Sequence, residues 1–394
     1  MSGLNKTNSP LNPNLYMKGE NMKKSIPSII LLISLACIIA FFSLSYVFTP
    51  DSSFSEDENR LLQGYPRFTV EKLLDGTYTR QLHDYFSDQI PFRTILIRLK
   101  ASIELAMGKN ENNGVLLGKN GYLIDVLSYN EDNYSYLKRN LSKIETLMEK
   151  LKENGIEVNS SIIPRKVDLT ESYFSPYYSS KRNQDALELV GDNHLSLYDT
   201  LKKYRNSENG VFYKTDHHWN ADGAYYAYYA LASTLGYTPK DKSYFALECL
   251  SNEFYGTSYS KSGFFFASPD SIYAPKIDEN RYKTTIVDIG FTFDGLYDTS
   301  YLSKKDKYSV FLSGNNAHVK IIDTQSESKE TLLLIKDSFS HSLAPYLLEH
   351  YNLELIDPRY YIGSIEEYIL ENDIKNVLFI FGLDTLASAN ISIR

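Results

Sequence analysis

The chain predicts a three-layer α/β domain with a mainly parallel sheet, preceded by a single transmembrane helix. Three observations predict it. The continuous apolar run at 331–335 and the segment 377–381 read as buried strands, and 156–163 and 353–356 read as further strands. Segments with apolar residues at three-to-four spacing fall between them, and strands alternating with such helices imply a parallel sheet covered on both faces. From Ile26 to Pro50 no residue is charged, which is enough length to cross a ~30 Å hydrocarbon core.

Taken in order, residues 1–24 are rich in Asn, Ser and Lys and read as a disordered cytoplasmic tail. Residues 25–48 are the anchor. Lys18, Lys23 and Lys24 precede it, and Asp51, Glu56, Asp57 and Glu58 follow, so the positive-inside rule puts the N-terminus in the cytosol and the bulk of the chain outside. A cleaved signal peptide would carry a shorter apolar region ending in small residues. Lipidation at Cys37 fits poorly with the upstream Ser34-Leu35-Ala36.

Residues 49–110 read as a juxtamembrane helical region with apolar positions Leu73, Leu74, Leu82, Tyr85 and Phe86, and 111–394 as the main domain. Two short apolar runs around Lys119-Asn120-Gly121 signal a hairpin over 114–124. Leu137, Leu141, Ile144, Leu147 and Leu151 define a helix stopped by Gly155. A second helix covers 225–235, with Asn220 as its cap and Gly236 after it. The C-terminal third gives strand 331–335, a helix over 340–350, strand 353–356, a helix capped by Ser364, and strand 377–381. Residues 240–330 break the alternation and read as a mixed insertion.

Composition narrows the partners. The 394 residues are 43% hydrophobic and 23% charged, which suits one anchor plus one large or two small globular units. A net charge of −8 argues against nucleic acid. The 33 tyrosines suit a carbohydrate-facing surface, although AT-rich codon usage gives the same count. Cys249 stands alone after the anchor, so that part of the chain forms no internal disulfide.

The chemistry gathers in two places. Lys214-Thr215-Asp216-His217-His218-Trp219-Asn220 contains two of the seven histidines and the only tryptophan. In Asp216-x-His218 the carboxylate orients the imidazole, and His217 points away if the local chain is extended. Trp219 reads as a wall or sugar platform. The second place is Lys336-Asp337-Ser338-Phe339-Ser340, where strand 331–335 runs into a helix. A serine in such a turn sits at the carboxyl edge of the sheet, near free N–H groups that favour an oxyanion. Ser338 is thus the nucleophile candidate, with Asp337 or Ser338 as a plain helix cap the alternative. Ser258, in Gly256-Thr257-Ser258-Tyr259-Ser260, competes but lacks a buried strand before it. Gly314 and Asn315 are oxyanion or substrate candidates, or simply a turn. No second acidic or His/Cys cluster at ligand spacing accompanies the motif, so neither a metal nor a cofactor is expected.

At this point the residues resemble a known group. Thr215-Asp216-His217-His218-Trp219-Asn220 is similar to the signature of the bacterial DHHW protein family, as are Glu58-Asn59-Arg60, residues 118–123, Phe254-Tyr255-Gly256-Thr257, Gly314-Asn315 and Ile335-Lys336-Asp337-Ser338. The resemblance spans roughly 54–394. That family in turn resembles the SGNH-hydrolase-like domains of alginate O-acetyltransferases, which implies a flavodoxin-like arrangement. It also implies a triad of Asp216, His218 and Ser338. Lys336 stands where that pattern has glycine.

The resemblance further implies a membrane-anchored, extracellular O-acetyltransferase acting on a cell-surface polysaccharide or exopolysaccharide, with a membrane-bound O-acyltransferase supplying acetyl. An acetylesterase with the same triad, or a non-catalytic glycan-binding or assembly protein, are the alternatives.

Overall fold

The computed structural model describes residues 26–55, 60–126, 129–170, 181–326, 328–388 and 390–393. The tail of 1–24, with Lys18, Lys23 and Lys24, lies outside the described residues, as do Glu56, Asp57, Glu58 and Asn59. The chain divides into two compact units, one holding residues 1–53 and 63–91, the other 54–62 and 92–394.

In the first unit, helix α1 (Ile26–Phe48) is long and apolar enough to cross a membrane by length and composition. Its last turn is followed by Asp51, whose carboxylate accepts from the Tyr85 hydroxyl at 3.0 Å. Tyr85 lies on the helix Thr77–Asp88, and its ring meets Tyr46 edge-on at 6.5 Å.

The second unit is built on an eight-stranded sheet. Its strands are β1 (Glu157–Ile163), β2 (Leu195–Ser196), β3 (Tyr282–Ile286), β4 (Phe291–Asp294), β5 (His318–Asp323), β6 (Thr331–Lys336), β7 (Asn352–Ile356) and β8 (Asn376–Gly382). The spatial order is β4-β3-β5-β7-β6-β8-β1-β2. The five strands from β7 to β2 pair in parallel, whereas β4, β3, β5 and β7 pair antiparallel. The sheet is therefore mixed, and the expectation of a mainly parallel one is not confirmed. The reason lies in the 240–330 stretch. It does not pack as an appendage but contributes β3, β4 and β5 to one edge of the sheet.

The parallel half has an informative order. Counted from β6, its strands read 2-1-3-4-5, the order of flavodoxin-like doubly wound sheets. The chain enters this order at its fourth position, because β1 and β2 come first in sequence. The place where the winding reverses lies between β6 and β8.

Helices cover both faces. Leu332 and Leu334 of β6 face one core, with α3 (Ala221–Leu235) and α4 (Ser340–Leu347). Leu333 and Ile335 face the other, with α2 (Glu131–Glu153), α5 (Ile365–Glu371) and α6 (Leu383–Ser388). This alternation along β6 makes the three layers. Local signals agree with the boundaries. Asn130 caps α2, the Asn220 side chain accepts from Gly223 N at 3.0 Å to cap α3, and Ser364 caps α5. The expected hairpin forms between Val115–Leu117 and Leu123–Asp125, with Asn120 and Gly121 turning through positive φ. Helix Arg93–Ala106 buries Ala101 against Val115, Leu123 and Phe264.

Because Leu334 is fully buried in the central strand, Leu334→Ala is expected to destabilise this unit by about 2–5 kcal/mol, from lost transfer energy and the cavity left behind. Denaturant titration followed by emission of the single tryptophan, which lies in the same core, measures it. A loss below about 1 kcal/mol would show that β6 is not central to stability.

Candidate active site

The two motifs meet. Ser338 follows β6 in a turn into α4, and its Oγ lies 2.8 Å from His218 Nε2. His218 Nδ1 lies 2.6 Å from Asp216 Oδ1, which also accepts from the His218 backbone N–H at 2.9 Å. Asp216 Oδ2 accepts from the Thr257 N–H at 2.7 Å and from its hydroxyl at 3.0 Å. All four acceptor bonds of a fully enclosed carboxylate are thus defined. Since the Thr257 hydroxyl proton goes to Asp216, His217 Nδ1, 2.8 Å from Thr257 Oγ1, is assigned as the donor there. The same logic assigns the Nδ1–H tautomer to His218, which leaves Nε2 free to accept from Ser338.

Charge follows from these contacts. Burial opposes ionisation of Asp216, but the imidazoles of His217 and His218 and the hydrogen bonds from His218 outweigh it and hold the carboxyl well below its usual range. Burial pushes the His218 imidazole down, helped by His217 and opposed by Asp216, so its neutral form prevails near pH 7.

The loop carrying Asp216 is clamped from both sides. Asp270 accepts from Lys214 N at 2.8 Å, Thr215 N at 2.7 Å and Thr215 Oγ1 at 2.6 Å. From beneath, the buried Lys166 ammonium donates to the carbonyls of Tyr213 (3.0 Å), Lys214 (3.3 Å) and Asp216 (2.5 Å). Burial lowers its pKa to about 8 against the attraction of Asp125, Asp216 and Asp270. Gly256 allows the approach of Thr257, because a Cβ there would lie 2.2 Å from the Asp216 Cβ.

The Ser338 turn is fixed just as firmly. Asp337 accepts from Phe339 N at 3.1 Å and, across the sheet, from Gly382 N at 2.7 Å. Lys336, where a glycine was expected, turns its side chain into the interior. It donates to His341 Nε2 at 2.8 Å and sits 3.4 Å from Asp357, itself held by Arg359 at 2.7 Å. Burial and then Lys336 push His341 far down, so it stays a neutral acceptor.

The other sequence candidates are placed differently from expectation. Trp219 is fully buried and is no platform. Its indole N–H donates to Phe339 O at 3.1 Å and to Ser342 Oγ at 2.9 Å, so it ties the histidine loop to the start of α4. His217 does not point away from His218. The loop bends, and the two rings lie 3.9 Å apart. Gly314 occupies a tight turn in which its N–H goes to Phe311 O at 3.2 Å, and Asn315 is exposed. The turn reading describes both. Ser258 is spent on Asp125 at 2.5 Å.

Tyr308, which no local pattern marked, stacks on His218 with centroids 3.9 Å apart and donates to Ser338 O at 3.2 Å. Asp216, His217 and His218 do bring three ligand atoms within 4.8 Å of one another. Both oxygens of Asp216 and both ring nitrogens of His218 are already hydrogen-bonded, a pattern suited to proton transfer rather than coordination.

With this geometry in place, comparison with known proteins is informative. The family model described as DHHW protein matches residues 172–356, a stretch containing both the 215–220 motif and Ser338 and narrower than the span read from sequence. Over 172 residues the chain is 26% identical to a protein of Pseudomonas fluorescens named probable alginate O-acetylase AlgJ, covering 41% of this chain and 44% of that one. A protein of the same name from Pseudomonas syringae pv. tomato is 23% identical over 163 residues, covering 39% and 41%. The chain thus spans less than half the length of these curated relatives. Among solved structures, a DHHW family protein from Eubacterium siraeum superposes with a TM-score of 0.57 at 23% identity, covering 71% of this chain and 94% of that one. Bacillus cereus PatB1 superposes with a TM-score of 0.58 at 21% identity, covering 71% and 99%. The DHHW resemblance holds, and the α/β fold is shared with these structures.

Lys166→Met is expected to take the ammonium donor from the carbonyls of Tyr213 and Asp216, while Lys214 O keeps the Leu123 N–H at 2.8 Å, and to cost about 2–3 kcal/mol; thermal unfolding measures it, and a change within about 0.5 kcal/mol would show that the clamp is dispensable. Gly256→Ala is expected to displace Thr257 from Asp216. In wild type, the proton shared by His218 and Asp216 should give a strongly downfield NMR resonance. That resonance should shift or vanish in the variant, and an unchanged one argues against the close packing.

Proposed function

We propose that this chain is a membrane-anchored O-acetyltransferase that modifies a polysaccharide outside the cell, with Ser338 as nucleophile, His218 as general base and Asp216 as its orienting carboxylate. One observation carries the reading: an unbroken hydrogen-bonded series from Asp216 through His218 to Ser338, at the carboxyl edge of the parallel strands. The relatives named alginate O-acetylase support the reaction class, and α1 with Lys18, Lys23 and Lys24 before it supports placement on the outer face of the membrane.

The reaction divides into two half-steps. In the first, Ser338 Oγ attacks the acetyl carbonyl of the donor while His218 Nε2 takes its proton. The donor's C–O bond breaks, and the proton passes to the leaving group. In the second, a sugar hydroxyl gives its proton to His218 and attacks the acyl-enzyme carbonyl. The bond to Oγ then breaks, and the proton returns to Ser338. Asp216 stabilises the imidazolium in both halves. The Ser338 backbone N–H, with no partner among the described residues, supplies a donor for the oxyanion, whereas the N–H groups of Phe339, Ser340 and His341 are already given to Asp337 and Ser338. The sheltered site, roofed by Tyr308 and Phe339, slows hydrolysis of the intermediate. A membrane-bound O-acyltransferase fits as the source of acetyl on the outer face, because acetyl-CoA does not cross the bilayer.

Ser338→Ala and His218→Ala are each expected to lower release of p-nitrophenolate from p-nitrophenyl acetate by roughly 10³-fold or more; residual activity within tenfold of wild type argues against the triad. The pH profile has a defined sign. His218 acts as base only when neutral, and its pKa in the fold lies below the ordinary value. Activity should be flat through neutrality and fall only as the pH drops through that lowered value. An acid limb centred above 7 would contradict this assignment.

A further inference from the structure

We propose that a cavity beside Ser338 is a monosaccharide subsite that admits an uncharged sugar and turns away a uronate. The proposal rests on Ser338 being the acyl-carrying nucleophile, and it adds the class of acceptor. The cavity measures about 210 Å³, smaller than the roughly 300–1,000 Å³ of pockets for drug-sized ligands, so it suits one ring rather than several. Its place follows from the topology. Arg165 and Lys166 come after β1, Phe339 after β6, Gly382 ends β8 and Asp384 follows it, three neighbouring parallel strands. That is the carboxyl edge beside the switch between β6 and β8, where doubly wound sheets bind ligands. His217 and Phe339 form the wall it shares with the His218–Ser338 pair.

The charges on its wall decide the sugar. Among the described residues, the Lys and Arg side chains there are already engaged. Arg165 gives Nε and Nη2 to Asp168 at 3.2 and 2.9 Å, and its guanidinium lies 4.2 Å over the Tyr129 ring. Lys166 is held by the three loop carbonyls. Asp125, also on the wall, is matched by Lys261 at 3.0 Å and by Ser258.

Asp384 differs from these groups. One oxygen accepts from the Tyr129 hydroxyl at 2.8 Å, and that atom lies 3.7 Å from Arg165 Nη1, while its other oxygen has no partner among the described residues. Its side chain is 41% exposed. It therefore offers a sugar hydroxyl an acceptor held in place by Tyr129, which suits hydroxyl-rich ligands. To a uronate carboxylate it offers a like charge, and among the described residues of the wall no Lys or Arg is left uncommitted, which penalises binding. The acceptor's ring occupies this cavity while its reacting hydroxyl reaches the Ser338 acyl group past His217.

The test uses the full chain in detergent micelles, with p-nitrophenyl acetate as donor and β-linked tetramers of glucose, galactose, N-acetylglucosamine or mannuronate as acceptors. Mass spectrometry follows acetylated tetramer, and a p-nitrophenolate burst, compared with Ser338→Ala, follows acylation. We expect a Ser338-dependent burst, transfer to at least one neutral tetramer, and transfer to the mannuronate tetramer slower by about tenfold or more. Asp384→Asn, which keeps the shape and the Tyr129 contact, should shrink that ratio to about threefold or less, mainly through KM for the uronate. Absence of the burst removes the nucleophile assignment and this proposal with it. A burst followed by equal or faster transfer to mannuronate, or by transfer to no tetramer, overturns the subsite alone. The wild-type comparison decides the matter even if Asp384→Asn fails to fold.

Discussion

The arrangement of this site depends on keeping one carboxylate, that of Asp216, ionised inside the protein. An unpaired buried charge is prohibitively costly, so it persists only where its oxygens are fully bonded. Two donors come from His218 and two from Thr257. The surrounding structure supplies those donors at fixed positions. Gly256 lets Thr257 come close, Asp270 and Lys166 hold the loop from opposite sides, and Trp219 joins the loop to α4. The clamps are themselves buried charges or buried dipoles, each matched by backbone groups, so they impose geometry without adding an unmatched charge. His218 gains its direction from this frame, the pre-organisation that its proposed role as general base requires.

Lys336 shows how the second half of the site is built without glycine. A glycine before the nucleophile turn gives room by removing a side chain. Here the side chain is present but folded inward, where it joins His341, Asp357 and Arg359 in a buried network. Asp337 then ties the same turn to Gly382 at the end of β8. The turn is held from below by charge matching and from the side by backbone pairing. Ser338 itself is left to face His218.

Much of this was legible in the sequence, for identifiable reasons. Strands β6 and β8 announce themselves because fully buried strands are apolar runs, and the covering helix α2 because its apolar residues repeat at three-to-four spacing, whereas the two-residue β2 carries no such signal. That Asp216, His218 and Ser338 would meet was anticipated from their residue types, one of them two positions from its partner and another at a strand end, and the three form a hydrogen-bonded series whose role in proton relay belongs to the proposed reading. The antiparallel edge was not legible. β3 and β4 carry partly exposed, polar-interrupted patterns that look like loop, and which sheet they join is fixed by pairing across more than 30 residues. Trp219 misled because a lone tryptophan beside a reactive motif reads as a ligand platform, whereas its indole N–H is what a buried tie between two loops requires. Tyr308, Thr257 and Lys166 gave no signal at all. Each acts through a tertiary contact with a residue 41 or more positions distant, or with a backbone carbonyl that no spacing rule can reveal.

The strand order explains why the pieces of the site are so scattered in sequence. In an unpermuted doubly wound sheet, the strand before the nucleophile comes first and the strands beyond the switch come later. Here β1 and β2 precede it, so Arg165 and the histidine loop are made before β6 is, and Asp384 follows at the end. The spatial result is the same crevice, since a crevice at the switch point depends on which strands are neighbours and not on where the chain begins. Residues from positions 129, 165, 217, 339 and 384 can therefore line one cavity. The same independence lets the wall acquire its own charge pattern, because Arg165 and Asp384 follow β1 and β8 whereas Ser338 follows β6. In the proposed reading, acceptor choice and proton transfer are then separable properties of one sheet edge.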